Sequence, residues 1–165
     1  MLRLAAPIVF LQCALFAFGV VDILFISRVG NVELSGMGLA HAVFFGVFVF
    51  GMGLVAAVDA VASRARGAGD GKKASSAGFQ AVLLALVASL PLILVLDQVP
   101  LAFRWIGVDP GVAREAEKFL SLGKWTVLPG LVFCANRFFL QSLERLGPLV
   151  AVIVLANLLN AALNW

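Results

Sequence analysis

Asp22 and Asp59 are carboxylates set inside long apolar runs, and Asn157, Asn160 and Asn164 stand together near the end of another. An ionisable group in an apolar segment of membrane length costs about 2.5–3.5 kcal/mol at its centre, so each is a candidate for function. A carboxylate beside carboxamides suits a proton or Na⁺. Amide oxygens can coordinate a cation, and the amide can hydrogen-bond the carboxyl in either protonation state. Asn160 and Asn164 are one helical turn apart and share a face. The competing reading is that the asparagines only glue helices together, and spacing alone leaves both open.

The remaining polar residues have plainer explanations. Asp59 is five residues from Arg64, so an ion pair near the membrane interface accounts for it. Asp22 has no basic residue within a turn on its cytoplasmic side, and an Arg28 pair would make it structural. Asn136, Arg137 and Gln141, with Glu144 and Arg145, read as an interfacial polar cluster, with Asn136 and Asn157 as candidate cavity-lining residues. His41 reads as a packed or interfacial histidine rather than a proton relay. Cys13 and Cys134 fall in apolar runs and read as small buried hydrophobes, not as a disulfide or metal site. With one histidine, no nucleophile–base pair and no metal-ligand cluster, neither an enzyme nor a bound cofactor is expected.

Elements that position these groups follow from composition. Of 165 residues, 62% are hydrophobic and 13% charged, with mean hydropathy +1.07. Soluble domains carry about 45–50% and about 25%. The excess must face lipid. The fold class is therefore an all-α integral membrane protein, a polytopic bundle of about five transmembrane helices. The net charge of +3 is spread in short clusters between apolar runs, which is where membrane proteins keep it. It forms no nucleic-acid stripe.

Five segments reach the length of about 20 residues that a span needs: 4–27, 36–62, 77–96, 119–140 and 148–165. They lack the alternation of a membrane barrel. The first is too long for a signal h-region, carries Asp22 and has no obvious cleavage site, so it is expected to be retained. Between the second and third lie Arg64, Arg66, Lys72 and Lys73 against Asp70. The positive-inside rule puts that loop, the N-terminus and the 144–147 turn in the cytoplasm. Asp109-Pro110 is an N-cap followed by proline at the first helical position, and Lys124 with Trp125 suits the outer interface. Ala42 with Gly46 and Gly53 with Ala57 give small residues four apart for close packing. Pro7, Pro91 and Pro129 should bend their helices.

In this topology Asp22 lies roughly 22 Å along its helix beyond Pro7, Asn160 roughly 18 Å and Asn164 roughly 24 Å along theirs. The three come to matched depth in the outer half of the membrane.

These residues resemble the N-terminal lobe of multidrug and toxic compound extrusion transporters. Pro7, then Gly19-Val20-Val21-Asp22, then Ser27-Arg28-Val29-Gly30, is similar to the family's first helix. The stretch from Ser63 to Asp70 is similar to its serine-arginine and glycine-alanine-glycine motif. Leu159-Asn160-Ala161-Ala162-Leu163-Asn164-Trp165 resembles its asparagine-containing fifth helix, and Arg137 through Pro148 also fits. Together the motifs cover essentially the whole chain, 1–165, as most of one six-helix lobe.

The resemblance implies twelve helices in two lobes, with export of cationic, amphipathic drug-like molecules across the inner (cytoplasmic) membrane against H⁺ or Na⁺. It implies Asp22 as coupling aspartate, Asn160 and Asn164 in its network as a potential Na⁺ site, and Pro7 as the bend. Some members carry an aspartate where Asn164 stands, and Asp59 matches no family motif. A sixth helix and the C-terminal lobe, which transport requires, are expected beyond this chain. Alternatives are a lipid-linked oligosaccharide or polysaccharide flippase of the same superfamily, which would need basic residues in its cavity, and a non-transporting structural subunit.

Overall fold

The computed structural model describes residues 30–164 and, before them, Val9, Gln12, Cys13, Phe16, Ala17, Gly19, Val20 and Leu24; at Ala161, Leu163 and Asn164 it describes the backbone alone. Two compact units divide the chain, 31–143 and 1–30 with 144–165. The first contains α1 (Asn31–Gly67), α2 (Gly71–Trp105), α3 (Pro110–Gly123), a 3-10 turn (Lys124–Thr126) and α4 (Val127–Ser142). The second contains α5 (Gly147–Asn164). Among the described residues there is no strand. The all-helical membrane fold expected from composition is the one found: α1 and α2 are each long and apolar enough to cross a bilayer, and α5 is a shorter apolar helix.

Two helix–helix junctions use one local grammar. At the end of α1, Gly69 takes φ +74°. Its N–H donates to the Arg66 carbonyl at 2.9 Å, and the Asp70 N–H donates to the Ala65 carbonyl at 2.9 Å. Those two bonds form a Schellman motif, which satisfies carbonyls orphaned at the helix end and needs a left-handed residue that glycine adopts without strain. Asp70 then caps α2, its Oδ1 accepting from the Lys73 N–H at 2.9 Å. At the end of α2, Gly107 takes φ +71°, the Val108 N–H donates to the Phe103 carbonyl, and Asp109 caps α3 by accepting from Gly111 and Val112. The glycine-alanine-glycine-aspartate stretch is thus a helix stop followed at once by a helix start.

Within 31–143, small residues let the helices close. Alanines 40, 62, 85 and 116 are wholly buried, beside Val55, Leu96, Val127 and Leu131. A Cβ at Gly36 would stand 3.1 Å from the backbone of both Ala116 and Val112 in α3, and one at Gly51 would meet Leu92 and Leu131. The pairs singled out in the sequence do not make these approaches. Ala42, Gly46, Gly53 and Ala57 are exposed, and Gly46 and Gly53 face open space. Spacing identifies a small stripe but not the side on which a neighbour lies.

The prolines expected to bend helices fall at different points within them. Helix α2 continues through Pro91 and Pro100 to Trp105. The segment 119–140 is divided by the 3-10 turn, so Pro129 falls in the first turn of α4, where a missing N–H costs little. Pro7 lies outside the described residues.

Candidate functional site

The three asparagines of the fifth segment all lie on α5. With offsets of three and four residues, Asn157, Asn160 and Asn164 form one stripe along roughly 10 Å of helix. Asn157 joins a face that sequence spacing assigned to the other two. Its Nδ2 donates to the Ile153 carbonyl one turn back at 2.9 Å, a tether that directs the acceptor oxygen away from the helix backbone. Asn160 is half-buried. Asp22 lies outside the described residues, so the expected meeting of carboxylate and carboxamides remains a matter of sequence.

Apart from Cys13, the other candidates lie on the helices of the 31–143 unit. Asn136 is exposed, its Nδ2 donating to the Val132 carbonyl at 2.8 Å. Asp59 is exposed and, contrary to expectation, forms no ion pair with Arg64; elsewhere Glu115 pairs with Lys118 at 2.7 Å and Asp97 with Lys124. Five positions turn a helix well past one full turn, so the two side chains leave α1 in different directions. His41 is exposed and stacks on Phe45 of the next turn with ring centroids 6.3 Å apart. Arg137 is half-buried, with its guanidinium 5.7 Å from the Phe138 ring. Cys134 is buried and Cys13 exposed. Among the described residues no cluster of His, Cys, Asp or Glu could hold a metal ion.

Asp97 is a polar group that sequence reasoning missed, because the third segment was expected to end one residue before it. It lies inside α2 and accepts from Lys124 Nζ at 2.5 Å across the bundle. Lys124 also lies 5.5 Å from the Trp125 ring centroid. The signal is in the sequence: an acid and a lysine, each at the end of an apolar run.

Comparison with known proteins gives the same context. The chain is 33% identical to a probable multidrug resistance protein NorM of Rhizobium meliloti (strain 1021), over 99% of this chain and 35% of that protein. A Bradyrhizobium diazoefficiens protein of the same description is 34% identical over the same shares. The multidrug resistance protein NorM of Vibrio cholerae is 27% identical over 100% of the chain and 36% of its own length. The chain thus spans about a third of the length of these relatives. Membership of a transporter family fits a membrane protein rather than an enzyme. A family model described as MatE matches residues 7–165, and the chain belongs to the MatE family.

Proposed function

We infer that this chain is part of a secondary active exporter that moves drug-like, cationic and amphipathic compounds out across the inner membrane, coupled to entry of H⁺ or Na⁺. Three relatives named as multidrug resistance proteins, aligned over almost all of the chain, carry this reading. The same names favour drug export over movement of lipid-linked sugars or a structural role. The chain contributes helices of the N-terminal lobe, with its N-terminus cytoplasmic.

Asp22 is the coupling carboxylate, and the asparagine face of α5 is its partner. Proton or Na⁺ binding at Asp22 removes the cost of a charge in a low-dielectric site. Asn160 and Asn164 supply oxygens to a cation or hydrogen bonds to the carboxyl. Loading the site changes how the first segment packs on α5, with Pro7 as the bend. Ion and substrate are coupled because both bias the same two arrangements. Asn136 and Asn157 are the candidate cavity-lining residues.

The test is efflux of a cationic dye by the full-length protein carrying Asp22→Asn. Loss of ion-driven efflux with normal membrane insertion is expected. Undiminished ion-coupled efflux would sink the assignment of Asp22.

A further inference from the structure

Helices α1 and α2 leave a groove between them on the surface of the 31–143 unit. Its volume is about 150 Å³. Buried Val55, Val58, Ala77 and Ala81 make its floor, and exposed Leu54 and Leu84 stand at its walls. The alanines give it depth, because their short side chains cannot fill the space between two helices that the larger residues hold apart.

Toward the α1–α2 junction lies a second cavity of about 400 Å³, and Val61 lines both. The chemistry changes there. Arg64, Lys73 and Asp70 line this second cavity. Among the described residues neither the Arg64 nor the Lys73 side chain takes part in an ion pair or a side-chain hydrogen bond. Asp70 is held by its cap bond to the Lys73 N–H. Two uncommitted cations against one carboxylate leave the cavity positive, at the end of the bundle where α1 and α2 leave the apolar layer.

We propose that this composite groove binds one anionic diacyl phospholipid with a hydroxylated headgroup, of the phosphatidylglycerol type. The phosphodiester sits between Arg64 and Lys73. A headgroup hydroxyl donates to the Asp70 carboxylate, and one acyl chain runs past Val61 along the alanine floor. The order of chemistry along the groove, cationic at its mouth and apolar beyond, is that of such a lipid from headgroup to tail. Basic pockets between transmembrane helices recognise anionic headgroups in this way. This site is separate from the asparagine face and stands whether or not Asp22 couples transport.

The test uses the full-length protein in bilayer nanodiscs of phosphatidylcholine with a minority of phosphatidylglycerol, followed by native mass spectrometry of retained lipid. Phosphatidylglycerol is expected to be retained in preference to phosphatidylcholine. Arg64→Gln and Lys73→Gln should each weaken retention about fivefold and together about twenty-five-fold. Lys72→Gln, beside the cavity but outside its lining, should leave retention unchanged. Ala57→Leu, which fills the groove from an exposed position, should weaken it with all charges intact, and glycerol phosphate without acyl chains should not compete. Equal retention of the two lipids overturns the proposal. So does an unchanged double variant, or a Lys72→Gln effect equal to that of Lys73→Gln, which would mean diffuse surface attraction.

Discussion

Gly36 and Gly46 belong to one helix, yet a methyl group would meet opposite conditions at them. At Gly36 it would press on the α3 backbone at Val112 and Ala116 and lie 2.6 Å from Glu115 Cβ. Backbone cannot swing aside as a side-chain tip can, so helices α1 and α3 must separate. Gly36→Ala should lower stability by about 1–3 kcal/mol, the usual cost of overpacking. At Gly46 nothing lies within 4 Å, and a mid-helix glycine gives up about 0.5–1 kcal/mol relative to alanine. Gly46→Ala should therefore be neutral or stabilising. Thermal unfolding of the two variants in detergent checks both signs, and equal effects would mean that the α1–α3 crossing is not the close contact described. Sequence could not separate them, since both are glycines on an apolar helix and only the position of α3 makes one indispensable. The asparagine stripe is the opposite case. Asn160 and Asn164 are legible from spacing, because a continuous helix converts an offset of four into a face without help from any neighbour; Asn157, three residues earlier, follows once the helix is known to be continuous.

At the scale of elements, the ends of helices were less legible than their middles. Hydropathy marks where a segment is apolar, but α1 and α2 continue well beyond their apolar parts, to Gly67 and from Gly71. What stops and starts them is local chemistry at Gly69-Asp70 and at Gly107 with Asp109. Asp109 announced itself through the following proline, whereas Asp70 was read only as a charge in a basic loop. The α4–α5 junction uses the same left-handed step without glycine: Glu144 takes φ +58°, a conformation that costs a non-glycine residue about 1–2 kcal/mol. Asp109 gives the clearest test of this grammar. Asp109→Ala removes the acceptor of two backbone N–H groups and should cost about 1 kcal/mol of stability, while Asp109→Ser should recover most of it. The measurement is again the thermal midpoint. A serine variant no better than alanine would show that the side-chain cap contributes nothing to the start of α3.

For the whole molecule the issue is which end of the 31–143 unit faces the cytoplasm, and the structure bears on it through charge pairing. Phe50, Phe79, Val87, Leu90 and Leu94 are exposed along α1 and α2, as a lipid-facing surface requires. The ionic groups gather at the two ends. One end carries Arg64, Arg66, Lys72 and Lys73 around the α1–α2 junction. The other carries α3, where Lys118 is held by Glu115, and the 3-10 turn, where Lys124 is held by Asp97. Counted by number, basic residues distinguish the ends weakly; at the α3 end Lys118 and Lys124 are engaged while Arg104 and Arg114 are not, and at the junction Lys72 and Lys73 form no ion pair among the described residues. Basic residues near the ends of spans are retained in the cytoplasm, so the α1–α2 junction is expected inside and α3 outside. In a full-length protein with Cys13 and Cys134 replaced by alanine, single cysteines at exposed Ser75 and Glu117 report the two ends. A membrane-impermeant maleimide applied to intact cells should label Glu117→Cys, and should reach Ser75→Cys only after permeabilisation. The reverse pattern would invert the topology.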